Sequence, residues 1–295
     1  MPDKVQQYGM HQQSLSNTFK ASGYLLLALA LLLSCHLSFA HETKLKHLKL
    51  GVYPHLSEKH LVRGYKPIAK RLSEATGTTI LFDASDNLEN FRSNLENQQY
   101  DIVMLQPFDY VEFADRNFYE ALATLKTPLT AVFAVKESSK LEKIYNLLGR
   151  DVYFPPSSTA VSYLAKHLLI NSGIDINKDL NIYHERTHLT CLQKLIFGLA
   201  DSCVTARPVI QLFEEKLGVK LKIIAESQAV PNMLFAVKPT LPKNLKQDLL
   251  TEIISWKKNG KHGDLLDNAR LQEFKPISDK DYNIVRKIKN EMSGF

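Results

Sequence analysis

Short apolar segments with the pattern of buried β-strands alternate along this chain with segments of helical period, and this alternation constrains the fold more than any other feature. A strand-like segment at 46–53 is followed by apolar residues at helical spacing over 65–76. The same order recurs where a strand at 151–154 precedes an amphipathic segment at 159–171. Such alternation is typical of α/β proteins whose sheets are mostly parallel. The sequence therefore predicts an α/β fold.

The number of predicted strands is too large for one sheet, which indicates two lobes. We expect residues 45–135 and 226–295 to form the first lobe and residues 136–225 to form the second. The chain is expected to cross between them at 136–149. With 44% hydrophobic residues, the chain has ample apolar surface to bury in two such cores.

The N-terminal 40 residues have the layout of a secretory signal peptide. Lys4 and Lys20 precede the apolar run at 24–33, and small residues at Ser38 and Ala40 fit a cleavage site. We expect removal of residues 1–40 and a periplasmic or secreted protein. Cys35, within a lipoprotein-like Leu-Leu-Ser-Cys segment, leaves a lipid anchor open as an alternative.

The charge balance argues against a nucleic-acid-binding protein. Lys and Arg number 37 against 31 Asp and Glu, and the net charge of +6 is spread along the chain. Nucleic-acid-binding domains gather their basic residues into one stripe or patch. The mild positive excess instead agrees with a small anionic ligand and no nucleic-acid partner.

Three predicted turns place polar groups where α/β proteins bind ligands, beyond the carboxyl ends of strands. Ser157, Ser158 and Thr159 stand before a predicted helix, where hydroxyls, free backbone N–H groups and the helix dipole favour an anion. Simple N-capping is the alternative for such hydroxyls. His188 opens the next predicted helix, where a charged imidazole is unfavourable unless an anion joins it. An ordinary buried histidine is the alternative there.

The remaining candidates follow two strands of the first lobe. Asp109 and Tyr110 follow the apolar strand at 100–105, and Tyr53 ends the first strand. A tyrosine offers a flat wall and a hydroxyl donor, although ordinary core packing accounts for it equally well.

In their order and spacing these segments resemble the phosphate-, phosphite- and phosphonate-binding proteins of ABC transporters, which are type II periplasmic binding proteins. The resemblance runs from about residue 48 to residue 242. The segments that carry it are Gly51-Val52-Tyr53-Pro54, Tyr100-Asp101-Ile102, Ser157-Ser158-Thr159, Gly173-Ile174-Asp175, His188, Ala200-Asp201 and Pro231-Asn232.

The resemblance implies a two-lobed periplasmic-binding-protein type II fold that closes on a small oxyanion and delivers it to a membrane permease. It implies that the oxyanion is held by Ser157, Ser158, Thr159 and His188 of the second lobe and covered by Tyr53 and Tyr110 of the first. We also expect a monomer with no cofactor.

The chain departs from the family pattern at several positions. Gln106 stands in place of a usual Gly, and Asp109 in place of a small neutral residue. A carboxylate there either repels an anion or pairs with a cationic group on the ligand. Arg207, if it faces the cleft, is expected to hold a second anionic group.

Other readings compete with the binding protein. His188 and Cys191 have the spacing of a Cys–His pair, but a nucleophile also needs an orienting third group. The sequence has no Gly-rich nucleophile elbow or phosphate loop, so we expect no enzyme. Adding His184 gives ligand-like spacing for a metal, for which we expect no site. Cys191 and Cys203 are interpreted as two buried thiols, with a disulfide left open.

A ligand sensor that docks on a membrane signalling receptor is the alternative function.

Overall fold

The computed structural model describes residues 47–293 of the 295-residue chain. The predicted signal peptide at 1–40, with Cys35, lies outside these residues. The strands are β1 (Leu48–Val52), β2 (Ile80–Asp83), β3 (Ile102–Leu105), β4 (Glu120–Leu125), β5 (Val132–Lys136), β6 (Asp151–Phe154), β7 (Asn181–His184), β8 (Ser202–Thr205), β9 (Leu221–Glu226), β10 (Leu234–Val237) and β11 (Phe274–Pro276). The α-helices are α1 (Glu58–Thr76), α2 (Leu88–Glu96), α3 (Pro107–Ala114), α4 (Ala160–Asn171), α5 (His188–Ile196), α6 (Arg207–Leu217), α7 (Lys243–Ser255), α8 (Gly263–Ala269) and α9 (Asn283–Met292).

The strands form two sheets, in agreement with the predicted α/β fold of two lobes. The first lobe is built on a six-stranded sheet of order β11-β4-β10-β3-β1-β2, and the second on a five-stranded sheet of order β7-β6-β8-β5-β9. Strands β1, β2 and β3 pair in parallel, as do β6, β7 and β8. In the first sheet β10 and β11 run against the other strands, and in the second sheet β5 does. Most strands of each sheet therefore point the same way, and their carboxyl ends share one edge.

The chain crosses between the sheets through two short segments, at 126–131 and 227–233. These segments lie antiparallel, because the backbone N–H groups of Leu129 and Val230 each donate to the other residue's carbonyl oxygen, at 2.9 and 3.0 Å. The crossing expected at 136–149 is therefore wrong. Strand β5, whose residues 130–135 had been assigned to the first lobe, pairs with β8 and β9 in the second sheet. An apolar buried strand carries no local mark of the sheet it joins, which explains the error.

Helix α1 starts two turns earlier than its apolar spacing predicts, at Glu58, and Pro67 lies inside it. The extension is stabilised by tertiary packing. At Gly64 an added Cβ would lie 2.7 Å from the Cα of Ala269 in α8, so only glycine permits this approach. The helix ends as predicted, with Gly77 in the left-handed region at φ 65°.

One hydrophobic cluster is shared by both lobes. Phe108 of α3 stacks on Tyr163 of α4, with ring centroids 4.8 Å apart. The C-terminal helix α9 packs against both α3 and α4. Its Val285 and Ile288 are fully buried in the same cluster. The residues assigned to the end of the first lobe therefore also contact the second.

Cys191 of α5 and Cys203 of β8 form a disulfide, with Cα atoms 5.7 Å apart. The interpretation as two separate buried thiols is therefore wrong. Helix α5 packs directly on β8, which brings the two positions together although they are 12 residues apart in sequence. Such bonds persist in oxidising, extracytoplasmic compartments. Over residues 47–293, no helix has both the length and the apolar character needed to cross a membrane.

Candidate functional site

Two sheet edges carry most of the predicted site. In the second lobe, β6, β7 and β8 end at Phe154, His184 and Thr205 on one edge, followed by the Ser157–Thr159 turn and the start of α5. In the first lobe, β1 and β3 end just before Tyr53 and Gln106. Contacts between the Gln106 side chain and the start of α4 show that these two edges face each other.

The three consecutive hydroxyls before α4 differ in their surroundings. Thr159 is the N-cap of α4: its Oγ1 accepts from the Ser162 backbone N–H at 3.3 Å and donates to the Pro156 carbonyl at 2.9 Å. This hydroxyl is therefore committed to the helix, so the ligand role expected for Thr159 does not fit its geometry. Ser157 is exposed and Ser158 is half-buried.

Tyr53 of the first lobe lies beside Ser158 of the Ser157–Thr159 turn. Its side chain is only 7% exposed and its ring packs edge-on against Phe91, with centroids 6.2 Å apart. Burial raises the pKa of the Tyr53 phenol to about 12, and the nearby Ser158 hydroxyl partly opposes this rise. At neutral pH the phenol is therefore a neutral hydrogen-bond donor beside Ser158.

Gln106 joins the two lobes with its carboxamide. Its Oε1 accepts from the backbone N–H of Ala160, the first residue of α4, at 2.8 Å. Its Nε2 donates to the Ser158 carbonyl oxygen at 2.7 Å and to Asp109 at 2.8 Å. The side chain is only 5% exposed, so it fills the space between the edges.

Asp109 is held inside the first lobe and does not present a free carboxylate at the mouth of the site. It is buried, and its second oxygen accepts from the Arg92 guanidinium at 2.6 Å. Burial raises the pKa of Asp109, while the hydrogen bond from Gln106 and the charge of Arg92 oppose the rise. The expected contact of Asp109 with a ligand is replaced by these two partners.

His188 begins α5, as the sequence predicts. Its Nδ1 lies 2.9 Å from Oγ1 of Thr205, the buried last residue of β8. Burial lowers the pKa of His188 to about 4. The imidazole is therefore neutral at pH 7 and is oriented by Thr205 at the same sheet edge as the Ser157–Thr159 turn.

Tyr110 does not offer a donor to a ligand. It is fully buried, its hydroxyl donates to Asp279 at 2.8 Å, and its ring packs against Tyr282. Burial and the Asp279 carboxylate raise its pKa. The prediction for Tyr110 is wrong because its hydroxyl already donates to Asp279, which lies 169 positions away in the sequence.

Arg207 lines a different space, a cavity of about 600 Å³ beside the two crossing segments. The cavity is lined by residues of both lobes, among them Arg270 and Gln272. The guanidinium of Arg207 is paired with Glu226, which also accepts from Thr130 at 2.7 Å. Arg207 is thus neutralised within the protein and is not among the groups gathered around Ser158.

The alternatives drawn from Cys191 can be judged directly. Cys191 is half of a disulfide, so in this state it supplies neither a nucleophile nor a metal ligand. His184 Nδ1 lies 2.9 Å from the Pro155 carbonyl oxygen. Within the described part of the chain, no three His, Cys, Asp or Glu side chains are grouped as metal ligands would be.

Two residues of the site were missed as candidates. Gln106 was noted only as a departure from the family pattern, although its place directly after a strand was a usable signal. Arg92 lies on α2, and its contact with Asp109 joins two helices through tertiary packing, for which the sequence carries no local pattern.

Comparison with known proteins assigns the chain to a class. A family model described as the periplasmic substrate-binding protein of phosphonate ABC transporters matches residues 50–282. The chain belongs to this family, and is an extracytoplasmic substrate-binding protein of the ABC-transporter type.

Solved structures share the fold at low sequence identity. PhnD1 from Prochlorococcus marinus, solved in complex with methylphosphonate, matches with a TM-score of 0.71 at 16% identity, over 85% of this chain and 99% of that one. A binding-protein component of an ABC phosphonate transporter from Pseudomonas aeruginosa gives 0.66 at 15%, over 82% and 85%. A Xanthomonas citri protein bound to ATP gives 0.68 at 15%, over 84% and 99%.

Proposed function

We propose that this protein binds a small phosphorus oxyanion, with methylphosphonate as the first candidate, between the start of α4 and the carboxyl edge of the first lobe. Ser157, Ser158 and His188 contact the anion from the second lobe, and the Tyr53 phenol covers it from the first. The observation that carries the proposal is the approach of the two edges, with the first amide of α4 only 2.8 Å from a side chain of the opposite lobe.

The groups at the N-terminus of α4 and around it favour the binding of an anion. The N-terminus of α4 provides a partial positive charge and outward-pointing amides. Among residues 47–293, the backbone N–H of Val161, the second residue of α4, has no protein acceptor. The Tyr53 phenol and the His188 imidazole are both uncharged at pH 7, so they supply donors without a competing negative charge.

The remaining parts of the proposal concern delivery. The protein is a monomer that hands its ligand to the permease of an ABC transporter and catalyses no reaction. The signal peptide at 1–40 directs its export. Attachment to the membrane through a lipid on Cys35 is the alternative, which mass spectrometry of the mature protein tests. Docking on a signalling receptor is the competing role, and reconstituted uptake with the permease separates the two.

A thermal-shift and calorimetric titration tests the binding. Methylphosphonate at 100 times its dissociation constant adds about 2.7 kcal/mol to the free energy of unfolding. For a chain of this size, that raises the melting temperature by roughly 5–10 °C. Phosphite, phosphate and sulfate are compared in the same assay, and a flat response to all four contradicts the oxyanion proposal.

Matched variants locate the site. Ser158→Ala and His188→Ala are expected to abolish or strongly weaken the shift. Ser172→Ala, at the opposite end of α4, and His60→Ala, on the exposed face of α1, are the controls and keep it. Equal loss in the controls, or full binding by both site variants, would place the ligand elsewhere.

A further inference from the structure

The Gln106 side chain occupies one contact that an oxyanion at the start of α4 would use, the Ala160 N–H. Its Oε1 accepts from the Ala160 N–H, which is the first amide of the helix and points out of its N-terminus. The carboxamide oxygen therefore takes the position that an anion's oxygen would take. Gln106 itself comes from the opposite lobe, at the start of α3.

Capping of α3 does not account for the direction of the Gln106 side chain. Gln106 is the N-cap residue of α3, yet its side chain makes no capping hydrogen bond to that helix. Its three hydrogen bonds instead go to Asp109, to the Ser158 carbonyl and to the Ala160 amide. Two of these three contacts are with the other lobe.

Displacing this carboxamide has a cost that depends on what replaces it. Both Nε2 hydrogens are donated, one to Asp109 and one to the Ser158 carbonyl oxygen. A fully ionised oxyanion can accept a hydrogen bond from the Ala160 N–H, but it has no hydrogen to donate to either of these acceptors. Leaving such acceptors without donors is unfavourable. To bind, the oxyanion must therefore displace a side chain that already makes hydrogen bonds to Asp109, the Ser158 carbonyl and the Ala160 amide.

We propose that the Gln106 carboxamide is an internal competitor for the ligand and thereby sets the protein's affinity for oxyanions. The proposal rests on the proposed function for the identity and place of the ligand. Removing the side chain beyond Cβ frees the Ala160 amide before the ligand arrives. The ligand then gains a charge-assisted hydrogen bond without displacing a neutral one.

Calorimetric titration of methylphosphonate into wild-type protein and Gln106→Ala tests the competition. One freed hydrogen bond corresponds to roughly fivefold to tenfold tighter binding in Q106A. Gln99→Ala, at an exposed glutamine in the turn after α2, is the matched control and is expected to bind like wild type. Equal or weaker binding by Q106A overturns the proposal, because Gln106 would then be neutral or a ligand contact.

A second measurement needs no ligand. In the ligand-free protein, hydrogen exchange at the Ala160 amide is expected to be slow in wild type and roughly fivefold to tenfold faster in Q106A, with neighbouring amides of α4 unchanged. If Ala160 exchanges equally in both, Gln106 does not hold it, and the proposal is wrong.

The two experiments separate this proposal from the proposed function. If neither protein binds any oxyanion, the proposed function fails and the competition fails with it, while the exchange result still decides the Gln106–Ala160 contact. If only Q106A binds, the competition is supported, while the absence of binding by the wild-type protein contradicts the proposed function.

Discussion

The disulfide offers a stability prediction whose magnitude follows from the position of its two cysteines. Cys191 and Cys203 are both fully buried and 12 positions apart. Cross-linking a loop of this length lowers the entropy of the unfolded chain enough to stabilise the fold by about 3 kcal/mol. For a chain of this size, losing the bond lowers the melting temperature by roughly 6–12 °C.

Urea unfolding of the mature protein, with and without a phosphine reductant present throughout unfolding and refolding, measures this difference. The double variant with alanine at both positions is the control, since its stability is expected to be insensitive to the reductant. Equal midpoints for oxidised and reduced wild-type protein would refute the reasoning, and free thiols in the native protein would refute the bond.

Two further predictions concern the second lobe. Because burial holds the pKa of His188 at about 4, against an ordinary value of 6.5, the unfolded chain takes up a proton that the folded one does not as the pH falls from 6.5 to 4. The free energy of unfolding therefore declines over that interval, and His188→Gln reduces the decline, as urea midpoints at several pH values will show. Thr159→Ala removes the N-cap of α4 and lowers stability by about 1 kcal/mol, whereas Ser157→Ala changes it by less than about 0.5 kcal/mol in the same assay.

Local patterns predicted much of the fold and the frame of the site. The amphipathic pattern predicts helix α4 over 159–171, and the helix spans Ala160–Asn171. The start of α5 at His188 also followed from local signals. Such features depend on residues a few positions apart, which a single sequence displays.

Contacts between distant segments account for what could not be predicted. The hydroxyl of Tyr110 is bound by Asp279, 169 positions away, and no local pattern of either residue indicates the other. Likewise, Arg92 neutralises Asp109 through the packing of α2 on α3. The membership of β5 depends on its pairing with β8 and β9. In each case, tertiary packing determines which partner the residue or strand has.

The apolar cluster that joins α3, α4 and α9 has a kinetic consequence. Moving the two lobes apart would separate Phe108 from Tyr163 and expose apolar surface to water, at roughly 25 cal/mol for each Å². Opening of the lobes is therefore expected to cost free energy. Where opening precedes binding, the observed association rate is expected to level off at high solute concentration, at the rate of opening.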